Sequence, residues 1–155
     1  MTGGFEAWHV LMGAHAVLLE AIEREVAGAG GLALSWVEAL TLLSDAPRQA
    51  LRMQELASGL VLSKSGATRL VDRLVAEKLI ERTSCGEDRR GVYAALTEQG
   101  RAALEQTRPL LIDAVDKVFS RHLTAHEANQ LRVLLDKVAA ANGYQVHSYG
   151  ETAAG

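Results

Sequence analysis

The chain has 155 residues, 48% hydrophobic and 23% charged, a composition that fits one globular domain and excludes a disordered or low-complexity chain. A single cysteine excludes an internal disulfide framework and a cysteine-based zinc finger, and the net charge of -3 sits awkwardly with a phosphate-binding partner. No apolar run approaches the roughly eighteen residues of a membrane span, and MTGGFEAWHV lacks the features of a secretory signal, so a cytoplasmic location with no membrane partner is expected.

Apolar residues at Trp8, Leu11, Met12, Leu18, Leu19, Ile22 and Val26 recur at helical spacing, so a long amphipathic helix is expected over about residues 5–27. The GAGG run at 28–31 ends it, because glycine leaves the backbone too free to propagate a helix. Ser35, three residues before Glu38, has capping-box spacing and is expected to open a second, mostly buried helix from Trp36 to Leu43. That helix stops near Asp45-Ala46-Pro47. Leu56, Ala57 and Leu60 mark a short third helix. Ser63 is the expected N-cap of a fourth, whose inward face is Ala67, Leu70, Val71 and Leu74. Two short helices joined by a brief turn form a helix-turn-helix.

After Leu79-Ile80, the polar stretch ERTSCGEDRRG and the run Val92–Leu96 read as two short strands around a charged tip, a wing. Thr97 is the expected cap of a long helix through Leu104, Leu111, Val115, Val118 and Phe119, with a kink expected at Pro109. Thr124 and Glu127 form a second capping box, opening a last helix through Leu131, Leu134, Leu135 and Val138. The tail at 143–155 is small and polar and is expected to be flexible. The fold class is therefore mainly α with a small β-wing.

The fourth helix carries the chemistry. With its apolar residues inward, Lys64, Ser65, Thr68, Arg69, Asp72 and Arg73 face outward. A helix entering the major groove needs such a second face, and residues near its N-terminus reach base edges most readily. Ser65, Thr68 and Arg69 are the candidate base readers, while Lys64 and Arg73 suit phosphates. From this helix alone, a merely solvated polar face stands equally open. The tip adds Asp88, Arg89 and Arg90 on a narrow hairpin, where an arginine can enter the minor groove. An isolated DRR is otherwise a solvated turn. Asp88 makes sense beside DNA if it pairs with Arg90 and holds that guanidinium extended. Between Lys64 and Arg90 seven basic residues stand against five acidic ones, a locally positive stretch in an acidic chain.

In this order and spacing, SKSGATRLVDRLVAEKLIER, GEDRRGVYAALTEQG and the flanking helices resemble the MarR family of regulators, over roughly residues 5 to 140. The resemblance implies one domain over 1–142, with dimerisation helices at 5–34 and 98–142 and a winged helix-turn-helix at 35–97. It implies a homodimer on double-stranded DNA, a wing arginine at Arg90 supported by Asp88, and a small effector such as a phenolic compound. One position departs from the pattern. The turn before the fourth helix often carries Gly or Asn, yet here it has Val61, and a β-branched residue tolerates positive φ poorly. Either the turn has another geometry or Gly59 takes the strain.

The first and last helices carry more apolar surface than a three-helix core covers, and a two-fold partner would bury it and match a palindromic operator. His15 follows Met12 and Trp8 on the first helix, and Trp36 offers an aromatic wall on the second. These four are the candidate ligand residues, with an interface histidine as the plainer reading. Cys85, beside the wing and near Arg82, allows a redox-sensing alternative, against simple packing. His122 and His126 have metal-ligand spacing, but an intervening cap at Thr124 separates their faces, so no metal or other cofactor is expected. No nucleophile–base pair, phosphate loop or dinucleotide fingerprint points to an enzyme. A protein-binding winged helix is the other alternative, and repression is expected by analogy.

Overall fold

The computed structural model describes residues 3–85 and 88–144, the side chains of residues 85 and 88–90 excepted. The expected mainly helical architecture with a small sheet is what the chain adopts. Among the described residues six helices, α1 (Gly3–Gly28), α2 (Leu34–Asp45), α3 (Met53–Gly59), α4 (Lys64–Ala76), α5 (Glu98–Val118) and α6 (Ala125–Ala141), accompany three strands. The strands are β1 (Ala50–Arg52), β2 (Ile80–Cys85) and β3 (Asp88–Leu96), with single 3₁₀ turns at Pro47–Gln49 and Ser120–His122. The chain forms two compact units, residues 26–110 and residues 1–25 with 111–155.

The unit over 26–110 holds the hydrophobic core. Val37, Leu40 and Leu43 of α2 are buried, as are Leu56 of α3, Val71 and Leu74 of α4, Ile80 of β2, Ala94 of β3 and Leu104 of α5. The sheet has the order β1-β3-β2 and is antiparallel throughout. Strand β1 was not foreseen: three residues are too few for a period of two to register in the sequence. Two consecutive left-handed residues, Arg48 (φ 59) and Gln49 (φ 53), turn the chain from α2 into β1. The Gln49 side-chain oxygen accepts a hydrogen bond from the Arg101 guanidinium of α5. Thr107 of α5 is buried, donating to the Ala103 carbonyl and accepting from the Leu32 amide at 3.3 Å, which pins the loop after α1.

Caps account for most helix boundaries. Ser63 Oγ accepts from the Gly66 amide at 3.1 Å, and Thr97 Oγ1 accepts from Gly100 at 2.9 Å, as the sequence foretells. Thr124 and Glu127 close the expected reciprocal box. The Ser35–Glu38 box does not form. α2 begins two residues earlier, at Leu34, with Ala33 in the cap position and no side-chain cap, so Ser35 already lies inside the first turn. α5 is continuous across Pro109.

Four helices end in the same closure, a left-handed residue followed by paired 6→1 and 5→2 backbone bonds. α1 and α6 place glycine there, Gly30 (φ 83) and Gly143 (φ 75). α3 and α4 place Val61 (φ 53) and Lys78 (φ 60). The question left by Val61 is answered directly: the valine itself takes the left-handed conformation, and Gly59 does not.

The second unit is built differently. Ala114 is its one fully buried hydrophobic residue among those described. Phe5, Trp8, Val10, Met12, Val17 and Leu19 of α1 are exposed, and so are Val133, Leu134, Leu135 and Val138 of α6. An ion pair joins Lys117 of α5 to Glu25 of α1 at 2.7 Å. No helix of the described chain is long and apolar enough to cross a membrane.

Candidate nucleic-acid interface

Helix α4 presents two faces. Ala67, Leu70, Val71 and Leu74 are at most 8% exposed and fix the helix on the core. Lys64, Ser65, Thr68, Arg69, Asp72 and Arg73 are all exposed on the other side. The N-terminal turn is locally ordered: Ser65 Oγ lies 3.2 Å from Ser63 Oγ, and Thr68 Oγ1 donates to the Lys64 carbonyl at 2.8 Å. Thr68 therefore turns its proton back into the helix and offers lone pairs outward, as an acceptor. No ion pair among the described residues holds Lys64, Arg69 or Arg73. Three cations thus stay available on one exposed surface.

The wing is the β2–β3 hairpin. Its stem pairs Ile80 with Leu96, Arg82 with Ala94 and Ser84 with Val92, and the register shifts between Ser84 and Cys85. The backbone of Asp88, Arg89 and Arg90 opens β3. Their side chains lie outside the described residues, as does that of Cys85, so the expected Asp88–Arg90 pairing and the redox reading fall there too.

Two contacts that stiffen this unit were missed in the sequence. Arg82 Nη2 meets Asp72 Oδ1 at 2.6 Å, joining the wing stem to α4. Strand alternation puts Arg82 on the face of the buried Ile80 two residues before, which is the one signal that could have found the pair. On the other side of β3, Tyr93 stands opposite Arg52 of β1 and its hydroxyl accepts from Arg52 Nε at 2.9 Å.

The candidate ligand residues divide between the two units. Trp8, Met12 and His15 are exposed on α1, and Trp36 is half-buried on α2 in the other unit. Phe5 and Trp8 ring centroids lie 5.8 Å apart, and Phe5 stacks on His9. His122 sits in a 3₁₀ turn and His126 in α6, and no group of metal-binding side chains forms among the described residues.

The charge divides between the units. Residues 26–110 carry eleven basic and ten acidic side chains; the remainder carries five basic and nine acidic. The net negative charge of the chain therefore belongs to the unit that lacks α4 and the wing.

The sequence profile of the MarR family matches residues 30–91. The multiple antibiotic resistance protein MarR of Escherichia coli is 37% identical over 84 residues, 54% of this chain and 58% of that protein. The transcriptional repressor MprA of Escherichia coli is 30% identical over 100 residues, 64% of this chain and 56% of that protein. The chain thus spans little more than half the length of these relatives. Among solved structures, Sco3205, a MarR family transcriptional regulator from Streptomyces coelicolor in complex with DNA, superposes with a TM-score of 0.82 at 28% identity. That match covers 92% of this chain and 93% of the other.

Proposed function

We propose that the chain is a winged-helix regulator of the MarR family, to which it is similar, and from that premise that it is a sequence-specific DNA-binding transcription regulator, a homodimeric repressor and not an enzyme. The observation that carries the reading is the division of α4 into a buried apolar face and an exposed face of Lys64, Ser65, Thr68, Arg69 and Arg73. Such a helix can seat on the core and present donors to base edges at once. In this reading Ser65, Thr68 and Arg69 contact bases, Lys64 and Arg73 contact phosphates, and Arg89 and Arg90 on the wing reach the adjacent groove with Asp88 in support.

The homodimer reading is supported by the large apolar residues exposed on α1 and α6, which a second copy would cover. Two copies related by a two-fold axis would read a palindrome. A small aromatic effector completes the proposal, with Trp8, Met12, His15 and Trp36 as the residues to examine by Trp fluorescence titration with phenolic acids.

Selection from random duplexes tests the reading. The expected product is a palindrome bound by a dimer in sedimentation. A protein-binding winged helix would select no sequence, and a monomer at micromolar concentration would defeat the two-fold reader.

A further inference from the structure

Asp72 is the anomaly of the exposed face of α4. At helical spacing it lies two turns beyond Ser65 and one beyond Thr68 and Arg69, at the C-terminal end of the stripe that would meet DNA. A carboxylate there repels phosphates, so on charge alone it weakens binding. The structure gives it a fixed partner, and that partner comes from another element. Arg82 of β2 reaches across to it at 2.6 Å, with side chains 40% and 53% exposed. Both ends of the contact stand on rigid ground: Val71 and Leu74 flank Asp72 and are fully buried, and Ile80, two residues before Arg82 on the same strand face, is buried as well. Arg82 is paired in register with Ala94, and the hairpin becomes irregular only beyond Ser84, toward the tip.

We propose that the Asp72–Arg82 ion pair is a brace that sets the wing against the recognition helix, so that α4 and the wing tip engage DNA together. Asp72 and Arg82 are positioning residues in this scheme. They act through the orientation of Arg69 and of the wing arginines rather than by touching bases. The brace holds the stem on the near side of the irregularity, where a small angular change is magnified at the tip. The pair is too exposed to add much to folding stability, since such pairs contribute little in water. Its geometric effect is separable from stability for that reason. The inference rests on the DNA-binding reading above.

The test uses the sign of the electrostatic effect. Asp72→Ala removes a negative charge from the DNA-facing stripe and places a good helix former on an exposed helical position, so on charge alone it tightens binding. Arg82→Lys keeps the positive charge but loses the planar fork, so on charge alone it leaves binding unchanged. The brace predicts that both weaken binding to the selected duplex, by roughly tenfold, a size typical of coupling between contacting residues. Melting temperature should stay near wild type. Asp72→Ala binding as tightly as wild type, or tighter, overturns the brace, and so does Arg82→Lys binding at full strength. Should Asp72→Ala fail to fold, Arg82→Lys decides alone. Wild-type protein that selects no duplex would instead remove the DNA-binding reading, so the two failures are distinct.

Discussion

Val61 offers a direct measurement of backbone strain. It occupies the position after α3 that closes the helix, with its amide bonded to the Ser58 carbonyl at 3.2 Å and the Leu62 amide bonded to Ala57 at 2.9 Å. The same closure elsewhere in the chain uses Gly30 and Gly143. A left-handed conformation costs an L-residue about 1–2 kcal/mol, and a β-branched side chain is among the worst placed to adopt it. The valine recovers little by packing, because it is 70% exposed. Burying the remainder contributes about 0.5 kcal/mol on the usual scale for valine. Asparagine tolerates this conformation without glycine's extra freedom in the unfolded chain. Val61→Asn should therefore gain roughly 0.5–1 kcal/mol, the strain relieved less the burial lost. In a chain of this size that is about 1–4 °C in melting temperature. Lys78→Asn, at the equivalent end of α4, should add a similar increment, while Val61→Ile, still β-branched, should gain nothing. Thermal unfolding followed by circular dichroism, with urea titration to confirm an unchanged slope, measures all three. A Val61→Asn protein melting at or below wild type would refute the argument, since it would mean that the closure holds no strain to release.

Arg69→Ala should relax sequence preference at one base pair by about 1–3 kcal/mol, read by competition between the selected duplex and single-base variants. Arg90→Ala should weaken binding with a milder effect on preference; unchanged affinity would take the wing out of the mechanism. Gly100→Ala should lower stability even though alanine favours a helix by about 1 kcal/mol over glycine. An added Cβ would lie 2.0 Å from the Leu79 carbonyl oxygen, which is backbone and cannot swing aside. An overpacking penalty of about 3 kcal/mol then leaves a net loss of roughly 2 kcal/mol, and any rise in melting temperature would contradict it. Glu127 is held below its ordinary value of 4.5, first by the Thr124 amide and then by the Thr124 hydroxyl. A depressed carboxylate contributes stability above its unfolded value and loses it as pH falls through the folded one. Amide exchange in the first turn of α6 should therefore accelerate as pH falls below about 4.5, after correction for intrinsic rates, and Glu127→Gln should abolish that pH dependence.

The elements that were legible in the sequence are those with a local marker. Ser63, Thr97 and Thr124 each announce a helix through an oxygen that can bond the amide three residues on, and the bonds form. The GAGG run marks the end of α1 because glycine accepts the left-handed closure freely. Other boundaries carry no local marker, or a misleading one. α3 and α4 end in the same closure without glycine, so nothing at Val61 or Lys78 advertises it. Ser35 has the spacing of a cap, but Ala33 opens α2 from outside. β1 exists because β3 offers it an edge, a tertiary cause that three residues cannot encode. The outward face of α4 was legible from periodicity alone. Its coupling to the wing was not, because Asp72 and Arg82 meet through the packing of β2 on α4.

The same division of information bears on the acidic net charge. At physiological ionic strength the screening length is about 8 Å, so a phosphate responds to the charges beside it and scarcely to the total. Around α4 and the stem of the wing the described charges are Lys64, Arg69, Arg73, Lys78 and Arg82 against Asp72, Glu77 and Glu81. Asp72, the acid that lies in the outward stripe of α4, is also the acid held by Arg82. What the pair removes from the positive balance is one arginine, and what it removes from the negative balance is the carboxylate placed worst for DNA. Lys64, Arg69 and Arg73 remain unpaired among the described residues, so the surface is cationic where it would meet phosphate. The total charge describes a different part of the molecule.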